Sequence, residues 1–475
     1  MTLLEQLRCY GESGACPMHM PGHKRADLGG PLPWGLDITE IDGFDNLHDA
    51  QGILKEGMDR AARLYGSDRA FYLVNGSTCG ILAGVCAVAR PGDTVLVSRG
   101  CHKSVYHALE LRELMPVYLT APLDPASGVT ASLPPQAVAD ALAAHPEARL
   151  LIVTSPTYEG VCSDLDTIVA LAHSAGVPVL VDAAHGAHLG FSPAFPGGAI
   201  SSGADIVIQS LHKTLPSLTQ TSLAHWNHGL VDADEFARQL SIFETSSPSY
   251  LLMGSIDQCV DLLERQGPEL FAAYENNLSA FDRAVAGLGH LRVLCHGGDR
   301  LADHPGFFAF DPGKLVISTR GTDLTGPALM ERLRREDHIE LEMAMGDYAL
   351  AMTSICDTEE SLERLAAALL RIDSSLHSAA AATPPAALPL PERRLLIGQA
   401  RRLPGEAVPL AEAVGQVSGG MVWAYPPGVP LLVPGEVLSA ELAAALRDFP
   451  ARGVCLHGEH SCPPETVWVL KNCGV

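Results

Sequence analysis

Three stretches of the sequence place side chains that could do chemistry directly after short apolar runs. Residues 75–80 are rich in glycine and hydroxyl side chains, the second stretch holds Asp182, and the third holds Lys213. These residue types suit a phosphate, a protonated heterocyclic nitrogen and an aldehyde, respectively. A shared chemistry requires that the fold bring the three stretches to one place.

The stretch 75–80 has the composition of an anion-binding turn at the start of a helix. Small residues such as Gly76 let the backbone approach an anion, and the N–H groups of a helix N-terminus favour a phosphate. Ser77 and Thr78 add hydroxyl donors. An ordinary helix cap has the same composition, because serine and threonine are common caps. Taken alone, this stretch leaves both interpretations open.

Asp182 and Lys213 each have a structural and a chemical interpretation. A carboxylate at the end of an apolar strand is costly to bury without a cationic partner, so Asp182 either caps a loop or holds a protonated ring nitrogen. Lys213 either extends its amine to the surface or is desolvated and becomes a nucleophile. A phosphate site, an acid and a lysine after three strands together predict pyridoxal phosphate as the cofactor.

The three stretches are positioned by a predicted α/β fold. Between residues 58 and 226, apolar runs alternate with segments of helical periodicity, which predicts a mainly parallel sheet covered by helices. The predicted strands are 70–76, 93–99, 116–121, 149–155, 178–184 and 205–211, and the clearest helices are 77–89, 134–144 and 164–174. Ligands bind beyond the carboxyl ends of such strands. His102, which follows the second strand, either stacks on the cofactor ring there or makes a backbone hydrogen bond.

The sequence also predicts five consecutive regions. Residues 1–57 form an N-terminal arm, with 1–50 expected to be extended or a loop, and 58–288 form the cofactor-binding large domain. A strand and helix alternation over 289–377 predicts a smaller α+β domain. The Ala/Pro-rich stretch 378–391 is a linker, and 392–475 form a C-terminal domain.

The composition limits the possible partners. The 475 residues carry 32 Lys and Arg against 55 Asp and Glu, a net charge of -23, so we expect no nucleic-acid partner. Such an acidic surface would attract a cationic small substrate. No apolar run of about 18 residues and no signal-like start occurs, and the twelve cysteines contain no C-x-x-C pair. We therefore expect a cytoplasmic protein with reduced thiols and no membrane partner.

Other cofactors and metals fit the sequence poorly. No Walker-type glycine loop occurs, and none of the six lysines has a tyrosine four residues before it, which disfavours a short-chain dehydrogenase. Residues 455–462 hold two cysteines and two histidines, but their spacing matches no usual zinc motif. We predict a turn between two strands there, and no metal site in the chain.

The chain resembles the prokaryotic Orn/Lys/Arg decarboxylases, which are fold-type I pyridoxal-phosphate enzymes, over nearly its whole length. The matching stretches are 20–24, 37–40, 43–47, 75–78, 99–104, 155–160, 210–214, 425–430 and 434–436. This resemblance implies α-decarboxylation of a basic amino acid, with arginine favoured over lysine and ornithine, giving agmatine or a diamine and carbon dioxide. An aminotransferase, an aldolase and a catalytically silent regulatory homologue remain as alternatives.

The resemblance also implies roles for individual residues. Lys213 would bond the cofactor aldehyde, Asp182 would hold the ring nitrogen, and Lys213 or His212 would return a proton to the product. The predicted cofactor contacts are Gly76, Ser77, Thr78, His102, Asp182, His185, Ser210, His212 and Lys213. Glu436 and His185 would bind the distal part of the substrate, although Glu436 also fits as a helix N-terminal charge.

The resemblance is to a compact form of the family. Larger members carry an N-terminal wing domain that builds higher assemblies, and this sequence has no room for one before Met20. We therefore expect a homodimer, or an oligomer built from dimers, with shared active sites.

Overall fold

The computed structural model describes residues 1–15, 17–21, 23–26, 29, 32–379, 388–424 and 428–471. Two compact units divide these residues, one from 1–88 and 165–273 and the other from 89–164 and 274–475. The five regions expected from the sequence stay a proposal.

The helices and strands alternate along much of the chain. The helices are α1 (Leu3–Glu12), α2 (Ile53–Tyr65), α3 (Gly76–Val88), α4 (Lys103–Leu111), α5 (Pro135–Ala144), α6 (Leu165–Ser174), α7 (Leu211–Thr214), α8 (Ala233–Phe243), α9 (Tyr250–Val285), α10 (Gly326–Arg332), α11 (Glu359–Asp373), α12 (Ile397–Arg401) and α13 (Ala440–Asp448). The strands are β1 (Arg69–Leu73), β2 (Thr94–Ser98), β3 (Met115–Leu119), β4 (Leu150–Thr154), β5 (Val161–Cys162), β6 (Val179–Asp182), β7 (Ile206–Ser210), β8 (Ser222–Trp226), β9 (Arg292–Val293), β10 (Ala309–Phe310), β11 (Lys314–Ser318), β12 (Met343–Met345), β13 (Tyr348–Met352), β14 (Gly405–Pro409), β15 (Val422–Ala424), β16 (Val429–Leu432), β17 (Leu456–Gly458) and β18 (Thr466–Leu470).

The first unit contains four neighbouring strands in the order β1-β8-β7-β6. β6 and β7 are parallel, whereas β8 pairs antiparallel with both β7 and β1. The sequence did not indicate β8. It returns beside β7 after residues 211–221, a connection that is short for the crossover that parallel neighbours need.

Helix α3 packs closely on these strands because two of its residues lack side chains. A Cβ on Gly80 would lie 2.7 Å from Leu73 Cδ1, and one on Gly84 would lie 2.5 Å from Leu180 Cδ1. Gly80 and Gly84 therefore serve helix-to-sheet packing.

The second unit contains three parallel strands in the order β4-β2-β3. It also has an antiparallel sheet, β12-β13-β11-β9, and near the C-terminus the pair β14-β18 and the sheet β16-β15-β17. The strand, helix, strand and helix that the sequence predicted for the smaller domain correspond to β9, α10, the pair β12 and β13, and α11. The sequence did not indicate β11. A separate apolar core packs α13 against the last strands, with Leu432, Leu442 and Val467 buried.

The start of the chain is helical, which corrects the expectation of an extended arm there. Thr2 and Glu5 form a reciprocal capping box, and the buried Leu3 and Leu7 anchor α1. The N–H of Leu3 also donates to Asp257 at 2.8 Å. In the described part of the chain, no helix combines the length and the apolar character needed to span a bilayer.

Candidate active site

The stretches holding Gly76, Asp182 and Lys213 follow strands that run in one direction in the first unit. β7 is parallel to β6, and two antiparallel pairings through β8 bring β1 back to the direction of β7. Their carboxyl ends therefore lie at one edge, where α3 and α7 begin and where β6 ends at Asp182.

Three serine hydroxyls meet at the start of α3. Ser77 Oγ lies 2.7 Å from Ser210 Oγ and donates to Ser222 Oγ at 3.1 Å, while the strand register sets Ser210 opposite Ser222. Gly76, with a φ of 74°, adopts a left-handed conformation that glycine tolerates. Thr78 is exposed in the first turn of the same helix. Hydroxyls and helix N–H groups form a donor set that fits a phosphate.

The buried carboxylate of Glu244 holds this turn through hydrogen bonds. Glu244 accepts hydrogen bonds from the N–H groups of Val74 and Asn75 at 3.2 and 3.4 Å and from Cys79 Sγ at 2.8 Å. Burial raises the pKa of Glu244 against the opposing effect of these hydrogen bonds. Sequence reasoning did not identify Glu244, because it lies 165 positions along the chain from Cys79, which it contacts.

The amine of Lys213 is held beside an imidazole. Lys213 Nζ donates to His185 Nε2 at 3.0 Å, and His185 is buried, whereas Lys213 is partly exposed. The amine is thus both fixed in position and reachable by a carbonyl compound.

Asp182 lies at the end of β6 and is 4% exposed. Its Oδ1 accepts a hydrogen bond from the N–H of Ala184 at 3.1 Å. Burial raises the pKa of Asp182, while the charge of Lys213 and the Ala184 amide act in the opposite direction. A protonated ring nitrogen would stabilise the carboxylate, so the acid, the amine and the hydroxyl cluster fit the three ends of pyridoxal phosphate.

His212 neighbours Lys213 on α7 but faces a backbone carbonyl. Its Nδ1 lies 2.8 Å from the carbonyl oxygen of Thr221, which fixes Nδ1 as the protonated nitrogen of the neutral ring. Burial, reinforced by Lys213, lowers the pKa of His212, while the Thr221 hydrogen bond raises it. The neutral ring can therefore accept a proton at Nε2, whereas donation to a phosphate requires a second proton.

His102 belongs to the second unit, where it caps α4. Its Nδ1 accepts a hydrogen bond from the N–H of Ser104 at 3.2 Å and lies 2.9 Å from Ser104 Oγ. The backbone hydrogen bond considered as an alternative is thus present. Stacking of His102 on the cofactor stays a prediction.

Glu436, also in the second unit, is 1% exposed and paired with an arginine. Its Oε2 accepts hydrogen bonds from Arg99 Nη2 at 3.0 Å and from the N–H of Val433 at 2.9 Å. Burial raises the pKa of Glu436, and Arg99 opposes that rise. Its role toward the substrate stays a prediction, and the substrate cation would have to share the carboxylate with Arg99.

Two further stretches singled out in the sequence lie near the C-terminus. Residues 425–427 of the 425–430 motif lie outside the described residues. Residues 455–462 run from β17 toward β18, as predicted, and the ring of His457 stacks on Trp423 with 5.7 Å between centroids.

Known proteins resemble this chain along most of its length. Residues 3–323 match the family model for the Orn/Lys/Arg decarboxylase major domain, and 398–451 match the model for the C-terminal domain of the same family. Arginine decarboxylase of Bacillus subtilis is 34% identical over 95% of this chain and 94% of its own length. Constitutive lysine decarboxylase of Escherichia coli is 27% identical over 90% of this chain and 71% of its own.

A solved structure shows the same fold. The lysine decarboxylase of Francisella novicida superposes with a TM-score of 0.82 at 19% identity, covering 99% of this chain and 81% of its own. The predicted fold class, a mainly parallel sheet covered by helices and followed by smaller domains, is confirmed.

Proposed function

The chain belongs to the Orn/Lys/Arg decarboxylase family, and we propose that it removes the α-carboxyl group of L-arginine, releasing agmatine and carbon dioxide. The observation that carries the proposal is the placement of the Lys213 amine, the buried Asp182 and the Ser77–Ser210–Ser222 hydroxyls at one edge of the sheet. Arginine is chosen because the Bacillus subtilis relative bears that name.

The protein is a pyridoxal-phosphate-dependent decarboxylase. When bound, this cofactor supplies an aldehyde that bonds amines and a ring that accepts the electrons released with carbon dioxide. Lys213 would hold the aldehyde and Asp182 the ring nitrogen. Gly76, Ser77 and Ser210 would hold the phosphate, with Thr78 available on the first turn of α3.

Lys213 and the neighbouring histidines would position the group that returns a proton to the product carbon. Lys213 Nζ lies 3.0 Å from His185 Nε2, and this contact would hold the amine in position while it is not bonded to the cofactor. Lys213 Nζ would return the proton to the product carbon. His212 Nε2 is the alternative carrier, since its Nδ1 is committed to Thr221.

Recognition of the guanidinium end is assigned to two residues of the chain. We include His185 because it adjoins the reactive amine, and Glu436 because it is a buried acid in a motif that matches the family. His102 would stack on the cofactor ring.

The oligomeric state and the cellular location of the protein are also proposals. We propose a homodimer with shared active sites and a cytoplasmic location. The ten cysteines that the structure describes are all free thiols, which is consistent with a reducing compartment.

The test is to incubate the purified protein and pyridoxal phosphate separately with arginine, lysine and ornithine. Carbon dioxide and the amine product are measured by mass spectrometry. We expect agmatine, with kcat/KM highest for arginine. Preference for lysine or ornithine would overturn the substrate, and a keto acid formed without carbon dioxide would overturn the reaction.

A further inference from the structure

A cysteine, an aspartate and a histidine converge in the second unit, in the connection between β9 and β10. Cys295, Asp299 and His304 bring one sulfur, one carboxylate oxygen and one ring nitrogen within 4.8 Å of one another. Among the described residues, this is the one group of three such side chains that close. It belongs neither to the Lys213 site nor to the 455–462 stretch.

The imidazole of His304 is fixed from behind by a buried carboxylate. Nδ1 of His304 lies 2.9 Å from Asp124 Oδ2, and the two residues are 2% and 0% exposed. Asp124 is held in turn by the N–H of Ser127 at 2.9 Å and its hydroxyl at 2.7 Å. The ring of Phe307 stacks on the imidazole with 4.9 Å between centroids. Metal-binding histidines regularly donate their second N–H to such a carboxylate.

The second ring nitrogen of His304, Nε2, faces the carboxylate of Asp299. With the Nδ1 proton donated to Asp124, the Nε2 lone pair points to Asp299 Oδ2 at 2.7 Å. That oxygen already accepts the N–H of Cys295 at 2.8 Å. Two lone pairs 2.7 Å apart repel each other unless a second proton on His304 lies between them or a metal ion binds both atoms.

We propose that Cys295, Asp299 and His304 bind a zinc ion, with Asp124 orienting the imidazole. A sulfur, a nitrogen and a carboxylate oxygen are the donors that zinc takes in a tetrahedral site, with water in the fourth position. Ligand atoms around such an ion lie roughly 3.3–3.6 Å apart. Binding would therefore lengthen the 2.7 Å separation of His304 Nε2 and Asp299 Oδ2, with all three ligand atoms starting within 4.8 Å of one another. Cys295 and Asp299 are partly exposed, which gives the ion a path of entry. The ion joins residues at both ends of the 295–304 segment.

The first test measures zinc in the untagged full-length holoenzyme. The protein is incubated with excess zinc chloride and desalted, and its metal content is determined by atomic emission. We expect one zinc per chain in the unchanged protein and background levels in Cys295→Ser and His304→Gln. Cys356→Ser, which removes an exposed cysteine outside the group, should retain the ion. Asp124→Asn should weaken zinc binding about 10- to 100-fold.

A second measurement needs no variant. Alkylation of each cysteine by iodoacetamide is followed by mass spectrometry with and without zinc, and zinc should slow the reaction of Cys295 and leave Cys356 unaffected. Absence of zinc from the unchanged protein overturns the proposal and assigns the positive charge to a proton. Equal zinc in Cys295→Ser and Cys356→Ser, or unprotected Cys295, also overturns it.

Discussion

Asp182 and Glu436 are two buried carboxylates whose charge is compensated in different ways. Glu436 receives the guanidinium of Arg99 and is neutralised by the chain itself. Asp182 accepts a hydrogen bond from the neutral backbone amide of Ala184. It lies at the same edge of the sheet as Lys213, whose charge acts to lower its pKa. Removing one partner of such a buried pair destabilises the fold, because the other charge is left buried without compensation. A buried carboxylate beside a reactive amine is instead suited to hold a ligand cation.

The largest expected effect comes from removing the amine beside Asp182. Lys213→Ala should lower kcat about 10³-fold or more and abolish the visible absorbance of lysine-bound cofactor, because the aldehyde loses its bonding partner. Lys55→Ala is the matched control, since Lys55 is exposed and pairs with Asp59 on α2. Visible absorbance that persists in Lys213→Ala would place the cofactor on another lysine.

The next largest effect tests Asp182 directly. Asp182→Asn should keep most of the cofactor, through Lys213 and the serine cluster, but lower kcat about 10²- to 10³-fold, because an amide holds a protonated ring poorly. Cofactor content and turnover are measured on the same preparation. Asp166→Asn, on the exposed first turn of α6, serves as the control. Near-normal turnover in Asp182→Asn would show that Asp182 does not hold the ring nitrogen, and Asp182 would then not differ from Glu436 in function.

Glu436→Gln should act on stability. It leaves the Arg99 charge buried without its partner, so the free energy of unfolding in urea should fall by about 3 kcal/mol. Combining it with Arg99→Met should recover part of that loss. Because Glu436 is also the proposed contact for the substrate guanidinium, KM for arginine should rise in the same variant. Unchanged stability would contradict the compensation by Arg99, and unchanged KM would remove Glu436 from substrate recognition.

The smallest effect concerns a buried imidazole, that of His225, which stays neutral in the folded protein instead of pairing with a charge. His225 on β8 is 0% exposed, and burial lowers its pKa to about 3. Below about pH 6.5, His225 binds a proton in the unfolded chain but stays neutral in the folded chain. The neutral ring therefore favours folding above that pH, and this contribution is lost as pH falls toward 3, by up to about 1.4 kcal/mol per pH unit.

The test compares urea unfolding between pH 7 and pH 5 in His225→Gln and in the unchanged protein. The variant should show a flatter pH dependence, and His228→Gln, at an exposed position, should match the unchanged protein. Parallel curves for all three proteins would show that folding does not lower the pKa of His225.

The residues that the sequence revealed are those whose signal is local. Asp182 ends one apolar strand, Lys213 follows a second, and the serine-rich turn follows a third, so the strand pattern alone pointed to all three. The Thr2–Glu5 capping box was equally local, and the threonine and glutamate three positions apart could have predicted α1.

The residues that the sequence missed depend on pairing between distant segments. Ser222 joins the hydroxyl cluster because β8 runs antiparallel to β7, and His225 interrupts the apolar pattern that would have marked this strand. The Arg99–Glu436 pair spans 337 positions, and the spacing of charges along a chain does not specify such contacts. Tertiary packing decides which buried acid acquires a counter-charge from the chain.

The central claim is that the Lys213 amine beside Asp182 is the one that holds the cofactor. Borohydride reduction of the holoenzyme followed by peptide mass spectrometry reads this out, because reduction makes the lysine–cofactor bond permanent. We expect a pyridoxyl phosphate adduct on the peptide containing Lys213 and no adduct at that site in Lys213→Ala. An adduct on the peptide containing Lys314 or Lys103, with Lys213 unmodified, would contradict it.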